Sequence, residues 1–132
     1  MLKVPCLLLV DDDIITTFIH QSLLRKLNIC ERIETAVNGE EALKKLSGIH
    51  DLDSNCPKLI FLDINMPVMD GFQFMEAFNE LNFSKKDQIT IVVLTTSLNE
   101  NDVQRMGKLG VKYYLQKPLK DTQIIKLMAD LI

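Results

Sequence analysis

Two kinds of apolar pattern alternate along this chain. The first is the short run: Cys6 to Val10 (CLLLV) and Leu59 to Leu62 before Asp63 are unbroken and apolar, and Ile89 to Leu94 (ITIVVL) is strongly β-branched. Short runs of this kind read as strands buried on both faces, as in the middle of a parallel sheet. Ile33 to Val37 and Tyr113 to Leu115 are shorter and weaker strand candidates. The second pattern is helical. Ile15, Ile19, Leu23 and Leu27 recur every four residues and predict one apolar face of a helix that starts after Asp11-Asp12-Asp13. Asn38-Gly39 precedes a short helix from Glu40 to Leu46, and Asp70-Gly71 opens one with Phe74, Phe78 and Leu81 on a single face. Asn99 to Leu109 is expected to be helical and to stop at Gly110, where a C-terminal glycine belongs. A last helix carries Ile124, Leu127, Met128 and Leu131. Ser47 to Pro57 is a polar, punctuated segment, long for a connection between helix and strand.

Strand then helix, five times over, predicts right-handed crossovers and a five-stranded parallel sheet with helices on both faces. No repeat or linker interrupts the pattern, so one α/β domain is expected over residues 1–132, with no output domain attached. Composition adds little beyond exclusions. With 47% hydrophobic and 25% charged residues the chain is of ordinary globular make-up. A net charge of -3 with scattered Lys and Arg argues against a nucleic-acid partner. No run is long enough to span a membrane, and Met1 to Pro5 leads directly into a strand without the length of a signal peptide. Cys6, Cys30 and Cys56 form no C-x-x-C pair and are expected to be buried or half-buried thiols in a reducing, cytoplasmic setting.

The candidate chemistry lies at the strand ends, because in open parallel sheets ligands bind beyond the carboxyl edge. Strand one leads to Asp11 and Asp12, strand three to Asp63, strand four to Thr95, and strand five to Lys117. Three carboxylates in one crevice repel one another unless a cation intervenes. A hard divalent ion such as Mg²⁺, or the ammonium of Lys117, would relieve that repulsion. A carboxylate surrounded by a metal, a hydroxyl and a lysine has the parts needed for phosphoryl transfer. Asp63, on the central apolar strand, is the best candidate for the nucleophile, and its product would be an aspartyl phosphate.

Four motifs then point to a family. VDDD at Val10–Asp13, LDINMPVMDG at Leu62–Gly71, LTTS at Leu94–Ser97 and YYLQKP at Tyr113–Pro118 resemble the receiver domains of two-component response regulators, with the stand-alone chemotaxis regulators as the nearest type. The resemblance covers essentially the whole chain in the family's order, and it implies the flavodoxin-like doubly wound (βα)5 fold. It implies Asp63 as phosphoacceptor, Asp12 holding Mg²⁺ (or Mn²⁺) directly, and Asp11 holding it largely through water. It also implies a backbone carbonyl ligand from Asn65, a switch hydroxyl at Thr95 and a phosphoryl contact from Lys117. The Lys117-Pro118 bond would be cis, Tyr114 would be the aromatic whose rotamer follows Thr95, and Asn65 and Ser97 would tune hydrolysis. Asp13 is expected to cap the first helix. Thr96 departs from the family's small residue, and Ser47–Pro57 looks like an insertion on the face away from the site.

What the resemblance implies is a phosphorylation-dependent signalling switch rather than an enzyme acting on other molecules. Its partners would be a histidine kinase or phosphotransfer protein and a downstream protein target, with a homodimer through the Asn99–Ile132 face left open. Two other readings compete. A haloacid-dehalogenase-type phosphatase would want a second Asp two residues after the nucleophile, where this chain has Asn65. A phosphorylation-independent interaction module would be expected to lack part of the acidic site. His20 is expected at the exposed edge of the first helix, and His50 in a loop without a specific role.

Overall fold

The computed structural model describes residues 3–47, 57–82, 86–97 and 99–131. Strands β1 (Val4–Val10), β2 (Cys30–Ala36), β3 (Leu59–Asp63), β4 (Thr90–Thr95) and β5 (Tyr113–Gln116) alternate with helices α1 (Ile14–Leu27), α2 (Gly39–Ser47), α3 (Gly71–Glu80), α4 (Glu100–Lys108) and α5 (Asp121–Asp130). A short 3₁₀ turn, Lys86–Gln88, leads into β4. The sheet is parallel throughout, in the order β2-β1-β3-β4-β5. That order is the expected flavodoxin-like one. The Ser47–Pro57 segment and His50 fall almost wholly outside the described residues, as do Cys56 and the expected position of that insertion.

The apolar runs divide by parity, because successive side chains of a strand point to opposite faces. Leu7, Leu9, Leu59, Phe61, Val92 and Leu94 pack with Leu24, Ile124, Leu127 and Met128, on the side of α1 and α5. Leu8, Val10, Ile60, Leu62, Ile91 and Val93 pack with Leu46, Phe74, Phe78 and Met106, on the side of α2, α3 and α4. All five residues of β3 are buried, as its unbroken apolar sequence requires. Each buried aliphatic side chain contributes roughly 1.5–3 kcal/mol of burial free energy.

The helix starts are set by short polar side chains. Asp13 accepts from the amides of Ile15 and Thr16, as expected of an N-cap, and these hydrogen bonds hold its carboxyl below the usual carboxylate range. Asp70 and Gln73 form a reciprocal capping box at α3, and Asn99 caps α4. Gly110 follows α4 at φ 97°, in the left-handed region that stops the helix. β2 and β5 run slightly longer than their apolar runs, reaching into polar sequence at Cys30–Arg32 and Gln116. Edge strands need only one apolar face, so periodicity under-reads their ends.

The first helix does not bury the expected face. Ile15 and Ile19 are 73% and 54% exposed, while Leu24 and His20 are buried and Leu23 and Leu27 are partly so. A strict four-residue repeat drifts about 40° per step on a helix of 3.6 residues per turn, so Ile15 and Leu27 lie about 120° apart. His20 sits about 20° from Leu27 and about 40° from Leu24 on the same wheel. The expectation that His20 is an exposed edge residue is therefore corrected: it is 2% exposed.

Candidate functional site

The sequence-predicted residues meet at the carboxyl edge of the sheet. Parity decides which side each occupies. Asp63 continues Leu59 and Phe61, and Asp11 continues Leu7 and Leu9, towards the α1/α5 side; Lys117 follows Tyr113 and Leu115 there. Thr95 continues Ile91 and Val93 towards the α3/α4 side, together with Tyr114.

The loops are pinned by the backbone. The Asp11 amide donates to Ala36 O (3.0 Å) and the Lys117 amide to Thr95 O (2.8 Å). The Gly71 amide donates to Ile64 O (2.8 Å), closing the turn after β3, and the Gly39 amide donates to Met69 O (3.1 Å). Gly71 is indispensable to that closure: a Cβ there would lie 2.7 Å from Asp63 O and 2.9 Å from Ile64 Cα. The Lys117-Pro118 peptide is cis.

Asp11, Asp12 and Asp63 each present a carboxylate oxygen within 4.8 Å of the others. Asp11 and Asp63 are 5% and 8% exposed, and Asp12 faces solvent. Lys117 Nζ lies 2.6 Å from Asp11 Oδ2 and 3.3 Å from Asp63 Oδ2. The second Asp11 oxygen accepts from the Asp13 amide at 2.9 Å. Burial pushes the Asp63 carboxyl above its ordinary range, and Asp11 and Asp12 add to the shift, while Lys117 opposes it. Burial alone would lower the Lys117 ammonium, but its contacts with Asp11 and Asp63 outweigh this and raise it. Lys117 lowers Asp63, but burial is the larger effect and the net shift is upward.

One ammonium thus faces three carboxylates. The donor set is all hard oxygen, with Asp12 and Asn65 open to water, and it fits a hydrated Mg²⁺ that takes a few carboxylates and keeps several waters. Asp11, Asp12, Asp63 and the carbonyl of Asn65 are the groups that would hold it.

The hydroxyl side is arranged differently. Thr95 is 4% exposed; its Oγ1 donates to Ser97 O (3.0 Å) and accepts from the Ser97 amide (3.2 Å). Ser97 and Asn65 are exposed, each two residues beyond Thr95 and Asp63. The Tyr114 ring packs on the α3/α4 core, and its hydroxyl lies 2.9 Å from Val111 O and 3.2 Å from Val103 O. The ring is thereby tied to the backbone of α4. Helix α4 is in turn held against α3 by Arg105 stacked over Phe72 (3.9 Å) and by Asn79 Nδ2 donating to Leu109 O (2.9 Å).

Two features of the site escaped the sequence reading. One is His20, whose signal was its helical spacing from Leu24 and Leu27. The other is Gly71 as a contact of the Asp63 backbone, for which a single sequence offers only the residue type.

Comparison with known proteins bears on the family and the fold. The family model described as the response regulator receiver domain matches residues 7–129. The chain is 30% identical over 124 residues to "Two-component response regulator 24" of Arabidopsis thaliana, covering 94% of this chain and 81% of that protein. It is 34% identical to the transcriptional regulatory protein AfsQ1 of Streptomyces coelicolor, covering 88% of this chain but 46% of that longer protein. The solved structure of a two-component response regulator from Cytophaga hutchinsonii superposes with a TM-score of 0.87 at 28% identity, covering 98% of this chain and 97% of that one. Among the described residues no helix is long and apolar enough to cross a membrane. A match over nearly the full length, a sheet in the family's order and an acidic crevice at its carboxyl edge together show that the chain belongs to the response regulator receiver domain family.

Proposed function

We propose that this chain acts as a phosphoacceptor receiver, in which Asp63 takes a phosphoryl group from a histidine kinase or phosphotransfer protein with Mg²⁺ bound. The observation that carries this reading is the crevice itself. Asp63 is joined there by Asp11 and Asp12 within 4.8 Å and by Lys117 at 3.3 Å. The metal would neutralise the carboxylates and phosphoryl oxygens, and Lys117 would transfer its contact from Asp11 to the phosphoryl group. The attacking Asp63 oxygen gains the phosphorus bond as the donor's imidazole nitrogen leaves with the electron pair.

Switching would then proceed through Thr95. To reach a phosphoryl oxygen its hydroxyl must give up Ser97, and for Tyr114 to follow, its hydroxyl must give up Val111 and Val103. The response is therefore transmitted to α4, whose surface a downstream protein would read. A near-complete shift from 1:99 to 99:1 needs about 5.5 kcal/mol of preference for the phosphorylated state.

The surroundings of the crevice support a protein as donor. Ile14, Ile15, Phe18 and Ile19 are 77%, 73%, 68% and 54% exposed on the first turns of α1. Val37 lines one groove with Ile14 and Phe18, and Val68 stands exposed on the loop after Asp63. Single exposed apolar residues need no explanation, but a contiguous group beside a reactive carboxylate marks a contact surface.

Intact-protein mass after treatment with a small acyl phosphate tests the reading. One phosphoryl adduct is expected in wild type with Mg²⁺, and none in Asp63→Asn or with a chelator. An unmodified wild-type protein would refute it.

A further inference from the structure

Among the described residues four polar side chains are buried: Asp11, Asp63, Thr95 and His20. Three of them make up the crevice. The fourth, His20, has been given no part in it. An aliphatic residue would fill the same place between α1 and the sheet without the cost of taking an imidazole out of water.

His20 lies on the α1/α5 side of the sheet, the side to which Lys117 points. The two residues line a single cleft of about 240 Å³, together with Thr16, Ile19, Thr96 and Pro118. No hydrogen bond within the described residues reaches the His20 ring, yet none of its nitrogens is sealed from solvent without a partner. Its ring therefore keeps a solvent-facing polar edge, and this cleft is an opening that the ring lines. A buried water needs two to four polar partners and about 30 Å³. The cleft has the room, and because its lining is mostly apolar, the few polar atoms carried by His20, Lys117, Thr16 and Thr96 are the only places on it where a water can be held. Lys117 has a matching requirement, since Asp11 and Asp63 account for two of its three N–H groups.

We infer that His20 is a positioning residue for Lys117: through water held in this cleft, its ring nitrogen takes the remaining N–H and fixes the direction from which the ammonium faces Asp63. The inference rests on the proposed role of Lys117 as the cation that contacts the phosphoryl group. Burial and the neighbouring Lys117 charge keep the imidazole neutral against the pull of Asp11, so a nitrogen lone pair is available to accept.

The test measures the rate of Mg²⁺-dependent phosphorylation by a small acyl phosphate together with the Mg²⁺ concentration at half-saturation. His20→Leu is expected to slow phosphorylation about tenfold while leaving half-saturation unchanged, as for loss of an orienting partner behind a functional group. His20→Gln, which keeps a donor and an acceptor, should recover most of the rate. A wild-type rate in His20→Leu overturns the inference, and so does His20→Gln as slow as His20→Leu, which would make the role one of shape alone. If His20→Leu does not fold, His20→Met takes its place, with the same slowing expected and a wild-type rate overturning the inference. A high-resolution crystal structure gives a readout independent of turnover. A water within hydrogen-bond distance of both the His20 ring and Lys117 Nζ is expected, and a dry cleft overturns the inference whatever the assay gives. Failure of the receiver reading looks different: wild type takes no phosphoryl group, or Asp63→Asn still takes one.

Discussion

Gly71→Ala tests how the Asp63 strand is held. Its Cβ would meet Asp63 O at 2.7 Å, Ile64 Cα at 2.9 Å and Met106 Cε at 3.3 Å. The methionine methyl can rotate away, but the first two atoms are backbone and are tied by the Gly71 N–H to Ile64 O hydrogen bond. The tightest contact must open from 2.7 Å to the 3.4 Å of ordinary van der Waals contact, and the movement falls on the residues that carry the acceptor. Overpacking of this kind costs about 1–3 kcal/mol, against a gain of at most about 1 kcal/mol from the better helix propensity of alanine. A net loss of about 1–2 kcal/mol is expected in urea unfolding without metal. Gly39→Ala is the comparison. There the close atoms are Met69 Cγ and Sδ, which can move, and Met69 O at 3.0 Å, so the loss should be smaller. The same displacement of Asp63 should lower the phosphorylation rate of Gly71→Ala about tenfold, since misplacement by 1 Å can cost about a hundredfold. A Gly71→Ala protein with the urea midpoint and rate of wild type would refute the account of how this strand is held.

Further expectations concern charge and strain. Lys117→Met leaves Asp11 and Asp63 buried without a cation and should lose about 3 kcal/mol in metal-free buffer, with Mg²⁺ restoring part of it; a variant as stable as wild type without Mg²⁺ argues against the pairing. Mg²⁺ at ten times its dissociation constant should stabilise wild type by about 1.4 kcal/mol, and removal by chelator should reverse this, as read by thermal unfolding. His20 has a folded pKa below its unfolded value of 6.5, so its contribution is present above that pH and is lost as pH falls through the folded value. Urea titrations of wild type and His20→Leu from neutral to acid pH should show this loss in wild type alone. Val68 is held at φ 69°, which costs a β-branched residue about 1–2 kcal/mol; Val68→Gly should relieve it and, after the greater freedom of glycine in the unfolded chain, stabilise by about 0.5 kcal/mol in urea unfolding.

How much of this was legible in the sequence depends on which physical signal each part obeys. The central strands were, because burial on both faces leaves an unbroken apolar run that ends abruptly where the chain leaves the sheet. For the same reason Asp11, Asp63 and Thr95 fall at one edge from sequence alone; Lys117 follows a weaker edge strand and is placed there by the strand–helix alternation and the YYLQKP motif. The orientation of α1 was not legible. Its exposed turns carry large apolar residues, so Ile15 and Ile19 pulled the apparent face towards solvent. A helix that exposes its largest apolar side chains defeats a rule that equates apolar with buried. His20 was misplaced by the same error. The clash that reserves Gly71 for glycine depends on tertiary distances that no local pattern carries.

The apolar turns of α1 have a kinetic consequence. If the proposed donor docks on the exposed Ile14, Ile15, Phe18 and Ile19 beside the crevice, it would stand over Asp63 while the phosphoryl group changes hands and would shield the new acyl phosphate from water until it leaves. Residence time of the donor and survival of the product would then be set by one surface. A polar substitution on that helix would speed departure and advance hydrolysis together, and the duration of the signal would be written partly in side chains that take no part in the chemistry.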